Sequence, residues 1–95
     1  MSIAQVDLLA LTDNMTPEEV RALQLIAREY IVATQQHPTG MRSAHEGYAI
    51  LKEEVDELWD EVKKKQSLRS QDKLMKEAVQ CGAMALRFLV DVTQT

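Results

Sequence analysis

The stretch of sequence that decides the fold is residues 44–62, AHEGYAILKEEVDELWDEV. Its apolar residues recur every three or four positions, which is the spacing of one face of an α-helix. The stripe that they form consists of Ala44, Tyr48, Leu51, Val55, Leu58 and Val62. Ser43 and Glu46 are spaced as a capping box at the helix start, and lysines 63–65 suit the negative end of the helix dipole. The pattern predicts a long amphipathic helix that buries this stripe in the core.

A second long helix is predicted before this stretch. Residues 16–19, TPEE, place a capping threonine before a proline at the first helical position and a glutamate three residues after the cap. Apolar residues then recur at helical spacing to about Gln36, where residues 37–40, HPTG, end the helix. The preceding residues 1–15 are expected to form a short helix or an extended arm, and the pattern fits both equally.

The third long helix is predicted from about Ser70 to Val92. Between Ala78 and Val90 every residue except Gln80 and Arg87 is apolar or glycine. A helix that is apolar on nearly all sides is a central helix that is buried on several sides. Three helices of this length offer too little cover for it, so we expect a second subunit to complete the core.

Composition supports a small all-α domain, residues 16–95, in a chain of 95 residues. Apolar residues make up 45% and charged residues 27%, while Gly (3) and Pro (2) are scarce. The net charge of −4 argues against non-specific nucleic-acid binding. No apolar run reaches the ~18 residues of a membrane-spanning helix, and residues 1–10 lack the features of a signal peptide. Together with the single Cys81, which has no intrachain partner, these features lead us to expect a cytoplasmic protein without a membrane or nucleic-acid partner.

Acidic residues near the end of the apolar stripe suggest a metal site. Glu54 and Glu57 lie three residues apart on one line of the second long helix, where two carboxylates repel one another. Glu77 and Gln80 have the same spacing near the start of the third helix. If the two helices pack antiparallel, three carboxylates and one amide converge, and Mg²⁺ favours such oxygen ligands. The alternative is that these glutamates belong to an ordinary solvated helix face, with surface ion pairs of small energy.

Four further side chains are candidates for contact with a substrate: Glu53, Trp59, Lys64 and Arg87. Trp59 can stack on a nucleobase, although its position beside the apolar stripe favours core or interface packing. Lys64 can hold a phosphate tail or simply end a solvated helix. Arg87 can meet a phosphate or form an ion pair with a carboxylate across a subunit interface, and the ion pair is the preferred interpretation.

Two segments together resemble the MazG-like, all-α nucleoside triphosphate pyrophosphohydrolases. They are residues 48–59, YAILKEEVDELW, and residues 76–86, KEAVQCGAMAL. The family pattern is Glu-Glu-x-x-Glu on one helix and Glu-x-x-Asp on the next. The resemblance covers residues 16–92, and it implies a four-helix-bundle core built by homodimers or homotetramers.

The resemblance also implies an activity and the residues that perform it. The expected reaction is Mg²⁺-dependent hydrolysis of a nucleoside triphosphate to the monophosphate and pyrophosphate, with deoxy or modified nucleotides as further substrates and Mn²⁺ as an alternative ion. Carried over by position, Glu54, Glu57 and Glu77 would be catalytic metal ligands, and Gln80 would stand at the fourth ligand position.

Position 80 departs from the family pattern, because the expected aspartate is a glutamine. An amide oxygen coordinates Mg²⁺ weakly, carries no charge and cannot act as a base. Asp91 cannot replace it within one site, since 11 helical residues separate the two positions by ~16 Å. The sequence therefore leaves two functions open: an enzyme with a three-carboxylate site, or a weakly active or inactive helical dimer that binds nucleotides or proteins.

Overall fold

The structure, a computed structural model, describes residues 7–94 except for the side chain of Leu8. Over this range the chain is all-helical and contains no strand. The helices are α1 (Leu8–Thr12), α2 (Pro17–Gln36), α3 (Ala44–Val62) and α4 (Gln71–Asp91), and a 3₁₀ turn (Gln66–Leu68) joins the last two. The all-α prediction and its three long helices are confirmed. The predicted arm or short helix at the N-terminus is a short helix at α1, and residues 1–6 lie outside the described range.

The helix starts follow from the capping residues. At α2 the Thr16 hydroxyl accepts a hydrogen bond from the Glu19 N–H, and the Glu19 carboxylate accepts one from the Thr16 N–H. This is the predicted capping box. At α3 only half of the box forms, because Ser43 caps the Glu46 N–H while the Glu46 carboxylate pairs with Arg42 instead. Each long helix therefore begins where its polar cap predicts.

Helix α4 is the central element and packs against both α3 and α2. A Cβ atom on Gly47 would touch Phe88, and the carboxylates of Glu57 and Glu77 approach one another, so α3 and α4 run antiparallel. Position 26 of α2 meets position 82 of α4, and position 33 meets position 87, so α2 and α4 run parallel. The prediction that α4 is the central helix is confirmed.

The face of α3 that packs on α4 differs from the predicted stripe. Gly47 is buried, and the half-buried residues that follow it are Ile50, Leu51, Glu54, Leu58 and Glu61. Tyr48 and Val55, by contrast, are 63% and 48% exposed. The prediction was wrong for four of the six stripe residues, Ala44, Tyr48, Val55 and Val62, because a single chain gives α3 only one helix to pack on. The acidic line that begins at Glu54 therefore lies on the packed side of α3.

Few side chains are fully buried within the chain. The buried apolar residues among those described are Ala33, Met41 and Ala83, and the buried charged residue is Arg87. Gly82 allows a close approach between α4 and α2, because its neighbour is Ile26 of α2. None of the described helices combines the length and the hydropathy needed to cross a bilayer.

Candidate metal centre

Three carboxylates converge between α3 and α4. Glu54 and Glu57 lie one turn apart on α3, and the antiparallel packing brings Glu77 of α4 against them. One oxygen from each side chain lies within 4.8 Å of one from each of the others. The sequence prediction that these three side chains converge is therefore met by the geometry.

Two of these carboxylates each bury one oxygen inside the protein. Oε2 of Glu54 and Oε2 of Glu77 are both shielded from solvent, and neither has a hydrogen-bond partner among the described residues. A buried carboxylate oxygen without a partner is destabilising, because it loses hydration without gaining a hydrogen bond. Both oxygens are therefore available to a ligand.

The lysines on α3 and just after it neutralise other acids. Lys52 pairs with Asp56, Lys63 with Asp60, and Lys64 with Glu61, at 2.6–3.0 Å. In the part of the chain that the structure describes, no lysine or arginine forms an ion pair with the three converging carboxylates. Within the described residues, the negative charge of the cluster is therefore not balanced by an ion pair.

Burial and the crowding of carboxylates raise the pKa of three groups in or next to the cluster. Burial, followed by the nearby Glu57 carboxylate, raises the pKa of Glu54 to about 7. Burial and Glu57 also raise the pKa of Glu77, although the Lys76 ammonium partly opposes this change. The thiol of Cys81 has a raised pKa as well, because it is buried close to these glutamates. A raised pKa makes Cys81 a poor nucleophile.

The donor set suits a hard divalent cation. Carboxylate oxygens are the ligands that Mg²⁺ and Mn²⁺ take in proteins, and Mg²⁺ keeps several positions for water or phosphate oxygens. Glu54 and Glu77 would each offer a buried, unpartnered oxygen, and the exposed Glu57 would offer one from the solvent side. A 2+ charge would also remove the repulsion among the three side chains. These residues therefore fit the cation that the resemblance implies.

The remaining predicted site residues fall into two groups. Gln80 and Glu53 lie beside Glu54, and all three line one pocket. Lys64 is bound to Glu61, and Trp59 is 58% exposed on α3. Gln80 and Glu53 therefore share a pocket with one member of the carboxylate cluster, Glu54.

Arg87 also lines that pocket, but its guanidinium points to the backbone and to a carboxylate of the same chain. It pairs with Asp91, four residues further along α4, at 3.1 Å. The expected ion pair therefore forms within one helix and not with a partner subunit. Sequence reasoning assigned no role to Asp91, although its spacing of four residues from Arg87 is the spacing of an intrahelical ion pair.

Comparisons of the chain with protein-family models, with curated proteins and with solved structures give no match. The interpretation of the site therefore depends on the residues and their geometry. The observations that carry it are the converging carboxylates and their two buried oxygens.

Proposed function

We propose that the chain is a Mg²⁺-dependent nucleoside triphosphate pyrophosphohydrolase of the MazG-like type. The single observation that carries this proposal is the convergence of Glu54, Glu57 and Glu77 with two buried carboxylate oxygens left unpartnered. Their arrangement on two antiparallel helices agrees with the family pattern of Glu-Glu-x-x-Glu on one helix and Glu-x-x-Asp on the next, apart from the glutamine at position 80.

The proposed reaction gives a part to the three carboxylates and to Gln80. Glu54, Glu57 and Glu77 hold the cation, which when bound neutralises phosphate charge and makes water a better nucleophile. Water attacks the α-phosphorus, the bond from this phosphorus to the bridging oxygen breaks, and pyrophosphate leaves with the electron pair. A carboxylate oxygen left free by the ligands accepts the proton of the attacking water. In this proposal Gln80, which lines the pocket beside Glu54, donates a hydrogen bond to the substrate or offers a weak amide ligand.

A homodimer is part of the same proposal, and an exposed apolar face of α3 supports it. Tyr48, Val55, Trp59 and Val62 recur at intervals of seven, four and three residues, which places them along one side of the helix. All four are exposed in the single chain, Trp59 at 58%. Because large apolar side chains clustered on one face typically mark an interface, we propose that a second copy of α3 covers them.

The surface area of the chain agrees with this partner. The accessible surface is 7590 Å², whereas a compact folded monomer of this mass exposes about 5500 Å². The excess of about 2000 Å² is larger than the ~800 Å² that each partner contributes to a standard interface. A pair of α3–α4 hairpins would form the four-helix bundle, and the excess area is also large enough for a tetramer.

A second candidate function is favoured by Gln80 alone. With an amide at this position the cluster has three carboxylates in place of four, which lowers its charge and removes one potential base. In this alternative the dimer binds nucleotides or another protein and turns over weakly or not at all. Multiple turnovers in the presence of Mg²⁺ would exclude it.

Pyrophosphate release from ribo- and deoxynucleoside triphosphates tests the proposal. We expect release with Mg²⁺, none with chelator, and loss of release in Glu57→Gln. Asp60→Asn is the matched control, because Asp60 lies on the same helix but is paired with Lys63 on the exposed side. Unchanged turnover in Glu57→Gln would refute the assignment of the site.

A further inference from the structure

The buried guanidinium of Arg87 holds the loop between α2 and α3 (residues 37–43). Only 6% of Arg87 is exposed. Its Nη2 donates hydrogen bonds to the carbonyl oxygens of His37 and Thr39, and its Nη1 donates one to the carbonyl oxygen of Ala33 at 3.4 Å. Nε donates a fourth hydrogen bond, to Asp91. The guanidinium has five N–H groups, so these four hydrogen bonds use most of them. Arg87 is therefore not free to bind a phosphate without releasing the loop.

Asp91 completes the attachment of the loop. Its Oδ2 accepts the hydrogen bond from Arg87 Nε at 3.1 Å and another from the Met41 N–H at 2.9 Å. Gly40 is required at this point, because a Cβ atom there would lie 2.7 Å from the same Oδ2. One ion pair thus fixes the backbone from the end of α2 to Met41, and we call this pair and the loop it holds the Arg87–Asp91 clamp.

The loop is one wall of a pocket of about 470 Å³ next to the carboxylate cluster. The other walls come from α2, from α3 and from α4. Glu54 lies at the boundary, since it belongs both to the pocket and to the carboxylate cluster. The pocket volume is within the range of about 300–1000 Å³ that is typical of small-molecule sites. Apolar surface comes from Met41, Ile50 and Met84. The polar lining consists of the amides of Gln36 and Gln80, the carboxylates of Glu29, Glu46, Glu53 and Glu54, and His37, Thr39 and Arg87.

We propose that the Arg87–Asp91 clamp is a positioning device that keeps this pocket formed, and that the pocket takes the nucleoside part of the nucleotide. The inference rests on the proposed function, because the phosphates are then directed to the Glu54 end. Thioether and aliphatic side chains provide a surface for a base, and amides and a carboxylate can hydrogen-bond to its edge or to the sugar. Arg87 and Asp91 act by holding the loop in place.

Two variants test the clamp. Asp91→Asn removes the charge of the pair but keeps an oxygen acceptor, and Gly40→Ala keeps every charge but crowds Oδ2. Asp56→Asn is the matched control, because Lys52 and Asp56 form an ion pair of the same i,i+4 spacing at 3.0 Å on the exposed side of α3. We expect each clamp variant to weaken nucleotide binding at least fivefold, while the control changes it less than twofold.

The first readout is methyl NMR of the full chain titrated with ribo- and deoxynucleoside 5′-monophosphates in the presence of Mg²⁺. We expect shifts at the methyl groups of Met41, Ile50 and Met84. Met75 and Ile26 line a separate apolar groove between α2 and α4, and their methyl groups should not shift. Shifts confined to Met75 and Ile26, or no shift at all at millimolar nucleotide, would overturn the assignment of the pocket.

The second readout separates positioning from a general loss of structure. Binding of Mn²⁺ to the carboxylate cluster, measured by electron paramagnetic resonance, should change less than twofold in both clamp variants. An equal loss of Mn²⁺ and nucleotide binding would overturn the inference, as would unchanged nucleotide affinity in both variants. If Asp91→Asn does not fold, Gly40→Ala decides the result.

Nucleotide binding without pyrophosphate release would refute only the proposed function. Pyrophosphate release with a KM that is unchanged in both clamp variants would refute only the clamp.

Discussion

Replacing Glu54 with glutamine should stabilise the metal-free protein at pH 8. In the folded chain the pKa of Glu54 is raised from 4.5 to about 7, by burial first and by the neighbouring Glu57 carboxylate second. At pH 8 Glu54 is ionised, so its loss of hydration and its repulsion with Glu57 both oppose folding. Glutamine has nearly the same shape and no charge. The variant should therefore avoid this cost while also losing the ligand.

The size of the effect follows from the raised pKa. At about 1.4 kcal/mol per pKa unit, the change from 4.5 to about 7 corresponds to roughly 3 kcal/mol. Glu54 is only half-buried, so solvent screening reduces this to about 1–2 kcal/mol. For a domain of this length we expect the Tm to rise by about 5–10 °C.

The sign of the pH dependence is fixed by the direction of the change. A folded-state pKa above the unfolded value means that the folded chain binds the proton more tightly. The stabilisation due to protonation is therefore fully present below about pH 4.5 and is lost as the pH rises through 7. The advantage of Glu54→Gln should be greatest at pH 8 and should shrink towards pH 5.

Thermal unfolding of the chelator-treated protein between pH 5 and pH 8 is the assay. Glu53→Gln is the matched control, because Glu53 is the exposed neighbour on the same helix and its removal should change the Tm little. Mg²⁺ or Mn²⁺ at ten times its Kd should stabilise the wild type by about 1.4 kcal/mol and should stabilise Glu54→Gln much less. A Tm at pH 8 that is unchanged or lower in Glu54→Gln, or equal increases in both variants, would refute the reasoning.

Two further predictions concern the proposed homodimer and the packing of α4 against α3 and α2. Trp59→Asp should convert the proposed dimer into a monomer because it places a charge in the exposed apolar face, and light scattering after gel filtration should show a halved mass; an unchanged mass would contradict the interface. Gly47→Ala should lower the free energy of unfolding by about 1–3 kcal/mol, because the new Cβ atom would lie 2.7 Å from the Phe88 ring. Gly82→Ala should stay within about 1 kcal/mol of the wild type in chemical denaturation, since the flexible end of Ile26 can move and alanine has the better helix propensity. Equal losses in the two glycine variants would contradict this distinction.

Local sequence signals were sufficient for the helices. The caps at Thr16, Ser43 and Ser70 mark the starts of α2, α3 and α4, because a hydroxyl that accepts a backbone N–H acts within three residues. The apolar run around Ala83 predicted the central helix for a similarly direct reason, since a helix without a polar face must be covered on several sides.

The predicted site depended on one further assumption, which was that α3 and α4 are antiparallel. A short connection between consecutive helices makes this packing the simplest one, so the register of Glu57 against Glu77 could be anticipated. The rotation of α3 could not, because the periodicity of its apolar residues is compatible with packing on more than one side. Tyr48 and Val55 point away from α4, and the sequence alone does not say which half of a wide stripe meets the same chain.

The role of Asp91 was missed for a physical reason as well. Sequence distance excluded it from the carboxylate cluster, but its partners include the Met41 N–H, which is 50 residues away along the chain. Contacts between a side chain and a distant backbone leave no periodic signal. Gly40, which permits the close approach, is a clue only once the position of Asp91 is known.

The most direct test of the central claim is product analysis after incubation of the folded protein with a panel of nucleoside triphosphates. We predict that Mg²⁺ leads to equal amounts of nucleoside monophosphate and pyrophosphate, that chelator abolishes both, and that Glu57→Gln forms neither. Absence of these products across the panel, or formation of diphosphate and inorganic phosphate in their place, would contradict the claim.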